Sequence, residues 1–235
     1  MKCRLCLEEA DLCRSHVIPE FLYSELYDGE HRFVEMYDVT NGKVRMGQKG
    51  YRERLLCPKC ETHINHFEKH TRRLFVDPLP ALTSGSSRFR EHVRLDYSLT
   101  KLFFLSVLWR ASISTLPVFK HVSLGTHEEK IRNMIYGQDP GADSLYPVAL
   151  FALQFEGRHF RDFMVEPTYM RIEGRRYYRF VMAGFVVFAF VSSSPAPAPF
   201  SRLCISPYAS VKSFDSDLSE FRFLREVWDR AARQR

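Results

Sequence analysis

The spacing of apolar residues along this 235-residue chain changes twice. Up to about residue 75 they recur at helical or alternating intervals, from 99 to 109 they are almost continuous, and from 147 onward they form strand-length runs. Val17 and Ile18 are β-formers, and Pro19 suits the first turn of a helix. His16 should therefore end a short extended piece, with a helix over 20–27 carrying Phe21, Leu22, Tyr23 and Leu26 until Asp28-Gly29 stops it. Residues 32–49 alternate loosely about Asn41-Gly42, the strongest short hairpin signal. Ile64, Phe67 and Leu74 give 61–75 an apolar side at helical spacing and leave Glu68, Lys69, Arg72 and Arg73 to solvent. Pro78, Pro80 and Ser84-Gly85-Ser86-Ser87 make 77–95 a connector.

The helix predicted over 98–114 carries Leu99, Leu102, Phe103, Leu105, Val107, Leu108 and Trp109, leaving little polar surface, so it must be packed centrally. Thr126 and Glu129 have the spacing of a capping box, opening a helix to 136. Runs at 147–155, 163–172 and 177–191, separated by Gly157 and by Glu173-Gly174, predict an antiparallel meander packed on the long helix. Residues 192–199 form a linker or edge loop, and Leu218, Phe221, Leu224, Val227 and Trp228 predict a last helix over 217–232. The fold class is α+β.

With 45% apolar and 14% aromatic residues the chain can bury a sizeable core, and its 26% charged residues exclude wholesale disorder. The longest apolar run, 181–191, is interrupted by Gly184 and is about half a membrane span, so no membrane association is expected. Met1-Lys2-Cys3 has no apolar stretch behind it, and with cysteines in metal spacing this predicts a reducing, cytoplasmic setting. The net charge of +6 is unevenly placed: residues 43–73 hold nine Lys or Arg against three acids, Glu53, Glu61 and Glu68. A patch containing Arg52, Arg54, Lys59, Arg72 and Arg73 suits a polyanion, DNA or RNA being the commonest, through counterion release.

Cys3-Arg4-Leu5-Cys6 and Cys57-Pro58-Lys59-Cys60 are C-x2-C pairs. Four thiolates on two tight knuckles are the ligand set of one tetrahedral structural Zn2+. The alternative is two unrelated pairs, or a redox C-x2-C. Knuckle, hairpin, knuckle and helix about one ion describe a treble clef over residues 1–76, with an α+β accessory or recognition domain over 96–235 that has room for a partner protein.

Between the knuckles stands Ser15-His16-Val17-Ile18-Pro19, and Leu55-Leu56-Cys57-Pro58-Lys59-Cys60-Glu61 leads into the helix. This order resembles the zinc-stabilised HNH endonucleases, in which C-x2-C, Asp-His-Ile-x-Pro, an intervening Asn and Leu-Cys-x2-Cys-His or Asn follow one another. The resemblance covers residues 3 to about 70. It implies a ββα-metal fold that hydrolyses phosphodiester bonds of nucleic acid with one Mg2+ or Mn2+, and a place among bacterial anti-phage defence effectors. The family's general base carries over onto His16, its zinc ligands onto Cys3, Cys6, Cys57 and Cys60, and its helix metal ligand onto Glu61.

The same chemistry follows from the residues: imidazole titrates near neutrality and can deprotonate water, while a hard cation stabilises the leaving oxygen. Glu61 and Asn65, at i and i+4, could offer two oxygen ligands on one side of the helix. The chain departs from the family pattern at three places: Ser15 replaces the acidic residue, Glu61 replaces His or Asn, and no middle Asn precedes Leu55, where Glu53 is the nearest acid. The alternative reading is a catalytically inactive zinc module that binds nucleic acid or a partner protein. His16 could then only hydrogen-bond the knuckle, and Glu61 and Asn65 be helix surface. His63, His66 and His70 could form a second metal site, or face solvent or a phosphate groove. Cys13 and Cys204 read as single reduced thiols.

Overall fold

A computed structural model describes residues 1–24, 26–38, 43–77, 87–161, 164–198 and 200–225, without the side chains of 34–38 and 43–45. The chain begins with the first knuckle, closed by Leu7 N–H donating to the Cys3 carbonyl at 2.9 Å, with Leu7 at φ 66°. Strand β1 (Arg14–His16) pairs antiparallel with β4 (Arg52–Arg54), with Ser15 opposite Glu53 and His16 opposite Arg52. Between them lie a 3-10 turn (Glu20–Tyr23) and a hairpin, β2 (Phe33–Asp38) with β3 (Lys43–Gly47). The predicted helix over 20–27 is thus a single 3-10 turn. The Asn41-Gly42 turn lies outside the described residues, but the strands it was expected to join do pair. Gly50 has to be glycine: a Cβ there would meet the ring of the fully buried Tyr23 at 2.5 Å.

Helix α1 (Pro58–Val76) starts at the second knuckle, with Pro58 at a position where a missing N–H costs nothing, and buries Cys60, Ile64, Phe67, Thr71, Leu74 and Phe75. Residues 78–86 of the connector lie outside the described residues, but its later part contains a strand, β5 (Phe89–His92). Helix α2 (Tyr97–Ile113) is buried on nearly every side, as its sequence requires, and is capped by Asp96, whose carboxylate accepts from Leu99 N–H at 2.9 Å. Helix α3 (Glu128–Gly137) follows a 3-10 turn (Gly125–His127). The expected Thr126 cap is not made, because the 3-10 turn moves the N-cap to His127, which has no side-chain cap bond.

The remaining strands are β6 (Val148–Phe155), β7 (Arg158–His159), β8 (Val165–Ile172), β9 (Arg175–Met182), β10 (Phe185–Phe190) and β11 (Val211–Asp217). They form one sheet in the order β5-β11-β6-β10-β9-β8, with β7 on β6. All pairs are antiparallel except β6 with β11. The third apolar run divides at Ala183-Gly184, where both residues take positive φ (42° and 87°). Strand β11 occupies the approach to the predicted last helix. Its Asp217 forms a capping box with Glu220, residues 222–225 are helical, and 226–235 lie outside the described residues.

One apolar cluster runs without a break from Cys3 and Leu5 through Phe67 and Phe75 to Phe103, Phe180 and Phe185. Phe75, at the end of α1, lies 5.8 Å from the Phe103 ring and 5.6 Å from that of Phe185. A second cluster, built on Phe151, Tyr177, Phe188 and Phe190, covers the other sheet face. No helix among the described residues is long and apolar enough to cross a membrane.

Candidate metal centre

The two knuckles converge because β1 pairs with β4 and because Leu55 and Leu56 cross the first knuckle, their carbonyls accepting from Arg4 N–H at 3.0 Å and Cys13 N–H at 2.8 Å. The ligand atoms of Cys3, Cys6, Cys57 and Cys60 all lie within 4.8 Å of one another, and all four thiols are free. Cys6 Sγ and Cys57 Sγ are 3.9 Å apart, too far for a disulfide. A zinc with Zn–S bonds of about 2.3 Å sets its sulfurs about 3.8 Å apart, so the cluster fits one tetrahedral ion.

The electrostatics agree with that ligand set. Burial would raise the Cys3 thiol, but N–H donors from Cys57 (3.3 Å), Cys6 and Leu5 outweigh it and bring its pKa to about 7. Cys60 is pushed far up by burial and by the neighbouring sulfurs, the position of a thiol whose thiolate needs a cation beside it. A dication held by the four sulfurs would supply that charge. Cys13 lies nearby, and its thiol is raised by burial and then by the Glu61 charge. Among the described residues no second group of three or more His, Cys, Asp or Glu side chains could hold a metal.

His16 ends β1, the strand that pairs with β4 on the approach to the second knuckle. Its Nε2 is 2.9 Å from Glu20 Oε2, and Glu20 also accepts from Tyr27 OH at 2.7 Å and from Arg52 Nη2 at 3.4 Å. Burial first, and then the Arg52 charge, hold the imidazole below its ordinary pKa against the pull of Glu20 and Glu68. The backbone here is fixed from α2: Arg110 Nη1 donates to the His16 carbonyl at 2.8 Å and pairs with Glu68 at 2.8 Å, with the Arg110 side chain 2% exposed. Neither Glu20 nor Arg110 carried a signal in the sequence. Glu20 read as the start of a helix, and Arg110 was not singled out within the apolar helix over 98–114.

Of the departures from the family pattern, Ser15 and Glu53 have structural roles. Ser15 is buried, and its Oγ accepts the Leu56 N–H at 3.1 Å, so it latches the second knuckle to β1. Glu53 reaches away from His16 to the end of α2, where it accepts from Ser114 Oγ (2.6 Å), Thr115 Oγ1 (2.6 Å) and Thr115 N–H (2.9 Å). Glu61 is half-buried and its Oε1 has no hydrogen-bond partner, whereas Asn65 is exposed. The carboxylate whose charge His16 feels from α1 is Glu68, two turns beyond Glu61.

The three helix histidines serve different ends. His63 Nε2 meets the Ile135 carbonyl at 2.7 Å, His70 Nε2 accepts from Asp96 N–H at 2.8 Å, and His66 is exposed. Two of the three thus join α1 to the second part of the chain. Of the expected nucleic-acid contacts, Lys59, Arg72 and Arg73 are exposed on α1, and Arg54 is exposed with one bond to the Leu12 carbonyl at 3.3 Å. Arg52 is turned towards Glu20.

The fold and site define an N-terminal ββα region with a four-cysteine metal cluster, compatible with a zinc-binding treble-clef-like module, followed by a mixed helix and sheet region. No protein-family model, curated protein or solved structure matches the chain.

Proposed function

We propose that this chain is a zinc-organised module that binds nucleic acid without cutting it. The observation that carries the reading is the outer face of α1, where Thr62, Asn65, His66, Lys69, Arg72 and Arg73 are all exposed and succeed one another at helical spacing from the metal centre. Such a face meets phosphates with its cations and base edges with its amide, hydroxyl and imidazole groups. Against cutting stand Ser15, spent on the Leu56 N–H, and Glu53, spent on the end of α2, while the carboxylate that does reach His16, Glu20, is shared with Tyr27 and Arg52 rather than held for a catalytic Mg2+ or Mn2+. A gel-shift titration over salt checks this. Neutralising Lys69, Arg72 and Arg73 together should weaken binding and reduce the salt slope by about two to three, while His16→Ala and Glu61→Ala leave it unchanged. Mg2+-dependent cleavage lost in Glu61→Ala at unchanged affinity would overturn the reading.

A second reading, an HNH-like endonuclease of the anti-phage kind, is favoured by His16 alone. The imidazole is kept neutral by burial and Arg52 and is oriented through Nε2 by Glu20, which leaves Nδ1 for a water. Plasmid DNA and RNA incubated with Mg2+, with Mn2+ and with EDTA decide between the two. Metal-dependent nicking that disappears in His16→Ala supports the nuclease, and no nicking under any condition leaves the binding module.

A further inference from the structure

We infer that the outer edge of the β8–β9 hairpin is a stacking platform for single-stranded nucleic acid, a second contact surface that extends the binding reading above and rests on it. The register sets Tyr169 opposite Tyr178 and Arg171 opposite Arg176, so the four side chains share one face of the hairpin. Strand β8 is the edge of the sheet, and Tyr169 at its middle is 37% exposed. The Arg171 and Arg176 guanidiniums lie 5.9 and 5.7 Å from the centre of its ring, and Arg171 Nε donates to its hydroxyl.

The platform has a fixed base. Tyr178 packs under Tyr169 with ring centres 5.9 Å apart, and its own hydroxyl is locked, donating to the Ser123 carbonyl at 2.6 Å and accepting the Ser123 N–H at 2.9 Å. The two charges that act on Tyr169 are both positive. Among the described residues neither Arg171 nor Arg176 forms an ion pair, whereas Arg175 beside them pairs with Glu173 at 3.4 Å. The positive field reaches the start of α3, where Arg176 and Lys130 add to burial in holding His127 below its ordinary pKa. The Tyr169 phenol is likewise lowered, by the Arg171 bond first and the two guanidinium charges after it.

An aromatic ring beside two forked cations that form no ion pair among the described residues, Arg176 also donating to the Ser123 carbonyl at 3.5 Å, matches a nucleotide strand: a base stacks on the ring and flanking phosphates take the guanidiniums. An incoming base would replace one guanidinium on the ring as that guanidinium turned to the neighbouring phosphate. A duplex keeps its bases stacked on one another and has none to give to a ring on a sheet edge. An acidic peptide would use the arginines and gain nothing from Tyr169.

The experiment is fluorescence anisotropy on the zinc-loaded full chain with a labelled single strand of about a dozen nucleotides, with the matching duplex, and with poly-glutamate as competitor. Tyr169→Ala should weaken the single strand about tenfold and leave the duplex unchanged. Arg171→Gln with Arg176→Gln should lower the single-strand salt slope by about one to one and a half. These residues are at the surface, so circular dichroism should show the variants folded. Single-strand affinity unchanged in Tyr169→Ala but lost in the α1 variant would overturn the platform and keep the binding reading. Poly-glutamate competing as well as nucleic acid would mark a general polyanion surface and overturn it too. A wild type that binds neither strand nor duplex would remove the binding reading itself.

Discussion

Replacing Cys57 with serine, or stripping the metal with a strong chelator, should unfold far more than the knuckles. Metal binding in small zinc modules is worth on the order of 10–16 kcal/mol, as much as the roughly 5–15 kcal/mol by which a typical domain is stable. A self-sufficient second domain would survive that loss, but the core is shared. Val17, Ile18, Leu22, Ile64, Phe67, Leu74 and Phe75 are buried from the metal-centre side in the same cluster as α2. At about 1.5–3 kcal/mol for each buried side chain, they contribute roughly 10–20 kcal/mol to that common core. Polar ties cross the same boundary: Arg132 Nη1 to the Leu5 carbonyl at 2.7 Å, His63 to Ile135, and Glu53 to the end of α2. We therefore expect one cooperative melt. Elemental analysis should find one zinc per chain in the wild type, and Cys57→Ser should lose near-ultraviolet dichroism and become protease-sensitive throughout. A resistant fragment beginning near residues 77–95 would refute the shared-core argument. A metal-free wild type of unchanged stability would refute the zinc assignment.

Further outcomes follow from single contacts. Ser15→Ala should cost about 1–2 kcal/mol, the price of an unmet Leu56 N–H, in a denaturant titration. Ser15→Asp, which restores the family's acidic residue, should cost at least that much and add no cleavage, because the side chain would be buried; a stable, Mg2+-dependent nuclease would contradict this. Arg110→Met should destabilise by about 3–5 kcal/mol by stranding Glu68, and Arg110→Met with Glu68→Leu should recover part of the loss in thermal melts. His92 is held to a pKa of about 4 by burial and by the Arg90 charge, against Asp215. Because its folded value lies below the unfolded 6.5, the unfolded chain binds the extra proton. Its contribution is complete above pH 6.5 and disappears as the pH falls towards 4, a change of about 3 kcal/mol. His92→Phe should flatten the pH–stability curve over that interval.

The four metal ligands could be read directly from the sequence because a C-x2-C knuckle is a local structure: the spacer alone aims both sulfurs at one point. Helices α1 and α2 were legible for a similar reason. Ile64, Phe67 and Leu74 at helical spacing mark α1 over 61–75, three residues short of its start at Pro58, and the nearly unbroken apolar surface of α2 has one place to go, the centre of the core. Strands β5 and β11 were not, since short, partly polar segments such as Phe89–His92 become strands only when a neighbour takes up their hydrogen bonds. The surroundings of His16 were beyond the sequence altogether. The histidine's place at the end of β1 follows from Val17-Ile18-Pro19, but its carbonyl is held by Arg110, 94 residues away. Whether Ser15 is a poor metal ligand or a latch depends on burial, which only the docking of β1 against the second knuckle decides. Tyr169, Arg171 and Arg176 likewise form one surface through strand register, a property of the sheet that no local pattern carries.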